Sequence, residues 1–566
     1  MDKRVVIFLV LSLVIILGFD LLLKQMGWLP EPPPAQDSSA ITPSSTEQEP
    51  TPALVTGKDN NSTGPSGPIK SGQKSATPAS DISLPTLEQT VKVETDLVRV
   101  EFSNRGGVIR GWELKRYHMG LPEAKPVQLV YQGGKFKGPL SMTVANADID
   151  KTIREGLYSI EKDFTSLDAA HPVGHVTMQF HDPATHLGVE KRLTFHHDSY
   201  VVDVSFAIEG LTESYDIGLG TNFGIVEWGD GFIGLIGSAS RVDDKIEKET
   251  PEKELERKGE VQWVALQDKY FLSVLIPKKG DAALAKTEDP KIVSAGVRMA
   301  TAGGASSVSL QLYAGPKEFD TLRSLNVGLE DMIDFGWFIY GSWTIVKSVA
   351  KPIFYVLRFI HEYISNYGVC IVLLTMAIKL LFVPLQYKSY KSMKMMRLIQ
   401  PKIKEVQEKY KGDRDRLNKE LMKLYREQKV NPLGGFLPMF LQMPVFISLF
   451  NVLYMTIDLR QAPFMLWVTD LSLQDPYYVL PVLMGLTMFI QQKITPTTMD
   501  PAQAKIMLVL PIGLTFLFVN FPAGLVLYWL TNNVLTITQQ LVTDRFLLTD
   551  KALASLGTAQ SGSTSA

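Results

Sequence analysis

At 566 residues the chain exceeds one ordinary hydrophobic core, so more than one domain is expected. Its one cysteine, Cys370, excludes an intrachain disulfide, a CxxC pair and a cysteine-built zinc site. The formal charge of −2 conceals an asymmetry: residues 1–23 sum to 0, residues 24–365 to −10 and residues 366–566 to +8.

Residues 1–24 place Lys3 and Arg4 ahead of an apolar run from Val5 to Leu23, which reads as a first transmembrane anchor. A cleaved signal peptide is the rival reading, but the run is long and the following QMGWLPEPPP offers no A-x-A site. Residues 25–86 are rich in Pro, Ser, Thr and Gly and cannot bury enough apolar surface to offset ordering entropy, so they are expected to be a disordered linker. Residues 87–330 alternate apolar and polar positions in VKVETDLVRVEF, SYVVDVSFAIEG and SSVSLQLYAG, with NRGG, YQGG and TAGG as turns. That pattern predicts a large antiparallel β-sandwich. His196 and His197 have no cysteine or carboxylate at metal-ligand spacing and read as strand-end residues; this stretch holds no catalytic motif.

Residues 331–365 carry Lys347, Lys351, Arg358 and Glu362 at offsets of 0, 4, 11 and 15, a single helical stripe on an otherwise apolar segment. An amphipathic helix lying on the membrane surface is expected, with Trp337, Trp343 and Tyr355 at headgroup depth; Pro352 and the separated charges argue against a further span. Residues 366–545 hold five apolar spans, 366–387, 436–456, 477–492, 506–520 and 525–541, the last two joined by the turn FPAG. The fold class predicted is a polytopic α-helical membrane protein of six spans, five of them in one core, with the β-sandwich outside the cytoplasm.

Between the second and third spans, residues 388–430 form a helical hairpin, with Ile399, Ile403, Val406 and Tyr410 on one arm and Leu417, Leu421 and Leu424 on the other. From Lys388 to Lys429 there are 14 Lys and Arg against 6 Asp and Glu, which places the hairpin in the cytoplasm together with both termini. Its charges have two readings, a solvated face or a docking surface for an anionic partner such as ribosomal RNA or lipid headgroups. Residues 546–566 are a short tail.

The span that begins at residue 366 contains Lys379, and a charge at mid-membrane depth costs about 2.5–3.5 kcal/mol on insertion scales. Thr375 precedes it by one helical turn, Gln442 lies between two prolines in the third span, and Asn532 and Asn533 follow Tyr528 and Trp529 in the last. Two readings stand: these groups share a hydrated cavity, or the amides lock helices together while Lys379 snorkels to the interface.

The stretches KSMKMMRLIQPKIKEVQEKY, VNPLGGFLPMFLQMPVF, LRQAPF, QDPYYVLPVLMG, TPTTMDPAQAKIM and FPAGLVLYW together resemble the YidC family of membrane-protein insertases, in the Gram-negative form with a large periplasmic domain. The resemblance implies a groove open to the cytoplasm and to lipid, with Lys379 at the family's positive position, where most members resemble one another in having arginine. It implies Thr375 and Gln442 as further groove residues, and Tyr528, Trp529 and Met443 as residues that touch the passing substrate. The activity implied is insertion and folding of inner-membrane proteins, alone or with the Sec translocon, with no catalytic residue, metal or cofactor. Implied partners are nascent membrane proteins, the Sec translocon with its accessory subunits, membrane lipids and the ribosome. The tail lacks the strongly basic character of some relatives, so ribosome contact would fall to the hairpin. A secondary transporter pairing an anion with Lys379 is the competing class, and no internal repeat supports it.

Overall fold

A computed structural model describes residues 87–119, 125–133, 137–228, 236–248, 251–301, 305–333, 335, 344–428, 430, 437–495 and 501–547. The expected anchor, the linker and nearly all of the tail lie outside the described residues, as do Trp337 and Trp343.

Among the described residues the strands form three antiparallel sheets. The largest runs, edge to edge, Lys245–Lys248, Gly237–Val242, Val261–Gln267, Phe271–Pro277, Ala305–Pro316, Val201–Glu209, Leu187–His196, Val173–Asp182 and Ser159–Lys162. A second runs Glu254–Lys258, Ala282–Asp289, Ile292–Met299, Tyr215–Thr221 and Ser141–Val144, and a third holds Thr90–Glu94, Val98–Ser103, Val108–His118 and Pro126–Gln128. Period-two alternation is what makes these sheets two-faced: Val202, Val204, Phe206 and Ile208 are buried while Asp203, Ala207 and Glu209 are exposed. Trp112 and Trp263 are sealed in the core, and each indole N–H has an acceptor, Ala314 O at 3.1 Å and Val327 O at 3.1 Å.

One inward position breaks the apolar row. Lys191, between Val189 and Leu193 on Leu187–His196, is fully buried, and its ammonium donates to the carbonyls of Gly106 at 2.9 Å, Gly107 at 2.8 Å and Leu140 at 3.0 Å. The Tyr158 and Phe206 rings lie 5.0 and 5.8 Å from it. The NRGG turn makes this possible: Gly106 and Gly107 have φ of +71° and +55°, and a Cβ on Gly107 would sit 2.9 Å from the Tyr158 ring. Burial pushes the Lys191 pKa down to about 7, while the three carbonyls favour the ammonium.

The sandwich carries a short helix α1 (Ala147–Glu155), capped by the Asn146 side chain on the amides of Asp148 and Ile149, and ends in α2 (Phe319–Ser324). The helical region follows as α3 (Thr344–Tyr363), α4 (Tyr367–Lys409), α5 (Arg414–Glu427), α6 (Leu437–Met455), α7 (Val479–Ile494), α8 (Pro501–Phe518) and α9 (Ala523–Val542). Among the described residues the amphipathic segment is helical from Thr344. Two of its four stripe charges face the end of the sandwich: Arg358 makes a two-pronged pair with Asp320, and Lys351 lies 3.4 Å from Asp331.

A single helix of 43 residues, α4, runs through the expected boundary between span and hairpin at 387/388. Pro384 and Pro401 each remove one amide donor, but the Lys, Met, Leu and Gln residues around them favour helix strongly enough to carry it on. Asn366 caps its start by accepting from the Val369 amide at 3.1 Å. The hairpin's second arm is α5, and a small cluster of Met396, Ile399 and Val430 holds its base. By length and composition α4 is able to cross a membrane, while Gln442–Met455, Val479–Ile494 and Met507–Phe518 are shorter apolar stretches.

The link between α6 and α7 meets the β region. Arg460 donates to the His118 carbonyl at 2.8 Å and lies over the Tyr270 and Phe271 rings, and the Lys269 ammonium is 3.3 Å from the centroid of Tyr454. Asp458, in the same link, is pushed up to about 6, first by burial and then by Glu318 and Asp320, against the pull of Arg358.

Candidate functional site: a cationic cavity among the helices

Helices α4, α6, α7, α8 and α9 enclose a half-open cavity of about 500 Å³. Helical periodicity decides what reaches it. On α4, Lys379, Gln386, Tyr390 and Met393 fall at offsets of 0, 7, 11 and 14, one face; on α9, Tyr528, Trp529, Asn532 and Thr536 fall at 0, 1, 4 and 8, again one face.

Lys379 is 7% exposed, and its ammonium donates to Thr536 Oγ1 at 2.7 Å; that hydroxyl in turn donates to the Asn532 carbonyl at 2.6 Å. Among the described residues Thr536 is the one hydrogen-bond acceptor for Lys379, so two of its three N–H donors remain for water or a ligand. Gln442 Nε2 donates to Asn532 Oδ1 at 3.2 Å, which fixes both amides on the wall. On the same two helices, one turn away, stands an aromatic group: Trp529 meets Phe446 and, on α8, Phe518 edge to face with centroids 4.8 and 4.6 Å apart, and Tyr528 lies 6.1 Å from Phe446. Met443, 48% exposed, is also part of the lining.

The structure therefore brings five of the six expected site residues, Lys379, Gln442, Met443, Tyr528 and Trp529, to one cavity. Thr375 is not among the lining residues. Its hydroxyl donates back to the Ile371 carbonyl at 2.6 Å, and the side chain is 1% exposed, because a threonine inside a helix finds its own preceding turn before it finds a neighbour. Asn533 performs the other role considered for these amides: it reaches α7, with Nδ2 3.3 Å from Thr487 Oγ1, and ties two helices together. The sequence reading missed Thr536, Gln386, Gln491, Gln492 and Thr495. Gln386 was within reach, seven residues after Lys379 and so on the same face; Thr536 and the α7 residues needed knowledge of which helices are neighbours.

Among the described residues the lining contains no Asp, Glu, His or Cys. It offers neither a metal-ligand set nor a nucleophile paired with a base, and nothing in it neutralises Lys379. Such a site suits reversible contact with a polar or anionic group beside an apolar one.

The description "60Kd inner membrane protein" matches residues 359–550, and "YidC periplasmic domain" matches residues 90–356. A membrane protein insertase YidC of Geotalea daltonii is 35% identical over 570 residues, covering 95% of this chain and 98% of that protein. Another, of Nitratidesulfovibrio vulgaris, is 36% identical over 561 residues, again covering 95% of this chain and 98% of its own. A crystal structure of an active YidC insertase with its first transmembrane domain resolved aligns at 18% identity and a TM-score of 0.36, covering 82% of this chain and 94% of that one. With both halves matched in order and over a third of the residues identical across nearly the whole length of these relatives, the chain belongs to the YidC family, its β-sandwich being the family's periplasmic domain and its C-terminal region helical.

Proposed function

We propose that this protein is a membrane protein insertase and folding chaperone that moves hydrophobic segments of nascent proteins from the cytoplasm into the inner membrane, with the Lys379 cavity as the groove that receives their polar flanks. The observation that carries this reading is a buried cation with one acceptor among the described residues, set in a cavity whose described lining has no carboxylate but has aromatic and apolar side chains. The free energy comes from the substrate: each Leu-like residue moved into lipid contributes roughly 0.3–0.6 kcal/mol, so about twenty of them outweigh the cost of carrying a short polar tail across. The protein lowers the barrier for that tail.

In this reading α4, α6, α7, α8 and α9 are the five core spans and residues 1–24 the sixth. The termini and the basic hairpin face the cytoplasm, the sandwich faces the periplasm, and α3 lies along the outer interface. The hairpin is the surface for a ribosome, lipids border the open side of the cavity, and the Sec translocon with its accessory subunits is the partner for longer substrates. Gln442, Met443, Tyr528 and Trp529 then touch the substrate, while Thr375, bonded back to Ile371, does not.

Two measurements test the reading together. A photocrosslinker at Tyr528 is expected to label a stalled nascent membrane protein; labelling of lipid alone counts against an insertase. For a translocon-independent substrate with an acidic outer tail, Lys379→Arg is expected to insert normally, Lys379→Ala less well and Lys379→Glu least, since Coulomb attraction in a wet groove is worth about 1–4 kcal/mol at 4 Å. Equal insertion by wild type and Lys379→Glu would remove the groove role from Lys379.

A further inference from the structure

Two helical turns beyond Lys379, about 10.5 Å along α4, Gln386 lines the same cavity. Its side chain is 7% exposed, and its Oε1 has no hydrogen-bond partner among the described residues. Nearly all buried acceptors in folded proteins are paired, so an unpaired one on a cavity wall marks a place where something from outside the fold donates. The surroundings say what kind of donor. Across the cavity stand Gln491, Gln492 and Thr495, and among the described lining residues Lys379 carries the only charge. An amide oxygen accepts from any N–H, and with Lys379 in the same cavity repelling a cationic donor a neutral N–H is favoured.

The donor that every polypeptide supplies, whatever its sequence, is the main-chain N–H of each residue other than proline. The face of α4 from Lys379 to Met393 is about 21 Å long, room for roughly six residues of extended chain. We propose, on the basis of the insertase reading above, that Gln386 is a specificity-determining residue that accepts a hydrogen bond from the backbone of a substrate segment lying extended along this face. Gln386 thereby holds polar segments irrespective of their charge, and Lys379 adds a preference for acidic ones. The division of labour follows from position: the amide oxygen reads the chain, the ammonium reads its side chains.

The test uses the full-length protein in liposomes and two translocon-independent substrates identical except for the outer tail, one acidic and one built of Ser and Asn. Gln386→Leu is expected to slow both by a similar factor, about three- to tenfold, the loss of one hydrogen bond. Gln386→Glu keeps the acceptor; it is expected to insert the neutral tail at the wild-type rate and the acidic tail more slowly, a rescue that a merely misfolded cavity would not show. Lys379→Ala is expected to slow the acidic tail alone. If wild type inserts both substrates and Gln386→Leu does so equally fast, or slows only the acidic one, the role of Gln386 is overturned while the insertase reading stands. If wild type inserts neither substrate, both fall.

Discussion

The β region and the helical region each bury a lysine, and the two are treated in opposite ways. Lys191 has three carbonyl acceptors within 3.0 Å and two aromatic rings beside it, so every donor of its ammonium is satisfied. Lys379 has one acceptor among the described residues, Thr536, and a half-open cavity beside it. Burial alone does not separate a cation whose donors the fold uses up from one with donors left for a ligand; the number of acceptors around it does. Lys191 joins the NRGG turn and Leu140 to the large sheet and has nothing to offer a ligand.

Substitution is the direct way to break this contrast. Lys191→Met leaves three buried carbonyls without a donor and is expected to cost about 3–5 kcal/mol of stability, measured by urea unfolding of the full chain in detergent. A loss below about 1 kcal/mol would mean that water replaces the ammonium, and that the two sites differ less than their geometry implies. Lys379→Met is expected to leave the unfolding midpoint unchanged within about 0.5 kcal/mol, yet to reduce insertion of an acidic-tailed substrate at least about fivefold.

Titration sharpens the comparison at smaller amplitude. In the folded chain Asp458 holds its proton up to about pH 6, well above its ordinary value of 3.8, so the folded state binds more protons than the unfolded one in between. The contribution of Asp458 to stability therefore falls as pH rises from about 4 to 6 and is constant above. Asp458→Asn is expected to abolish that slope and to gain about 1–2 kcal/mol at pH 7, seen in unfolding curves across that range. An unchanged slope would place the titration elsewhere in the joint formed with Arg358, Glu318 and Asp320. The smallest effect is at His197, whose Nδ1 lies 2.9 Å from Asp96, a carboxylate that raises the imidazole above its ordinary 6.5. That pair stabilises fully below 6.5 and less as pH rises through the raised value, so His197→Gln is expected to lower the midpoint slightly in acid and not at all in mild alkali.

Much of this was legible from residue order because it rests on short-range periodicity. Alternation in SYVVDVSFAIEG became Val201–Glu209 with its inner and outer faces, and Lys379, Tyr528 and Trp529 stood out as polar or aromatic groups in apolar runs. What stayed hidden depends on neighbours far along the chain. In EKRLTFHH nothing distinguishes Lys191 from a surface lysine, because its acceptors are 51 to 85 residues away. The stripe charges of α3 read as the polar face of a helix on the membrane surface, whereas Asp320 and Asp331 lie beside two of them. Thr375 looked like a companion to Lys379 from spacing, but a hydroxyl has a nearer acceptor in its own helix. The expected boundary between span and hairpin at 387/388 rests on a change from apolar to charged residues, and the helix runs through it, because Pro384 costs one hydrogen bond that a helix well supplied elsewhere survives.

The continuity of α4 has a mechanical consequence. A rod of 43 residues is about 65 Å long, so a 5° tilt about its centre moves each end by roughly 3 Å. Pro384 leaves the carbonyl of Leu380 without its amide partner and so forms the compliant joint of this lever. Lys379 lies on one side of the joint; Gln386, Tyr390 and Met393 lie on the other. A load applied to the hairpin therefore acts on the cavity wall itself, at the joint between the ammonium and the amide.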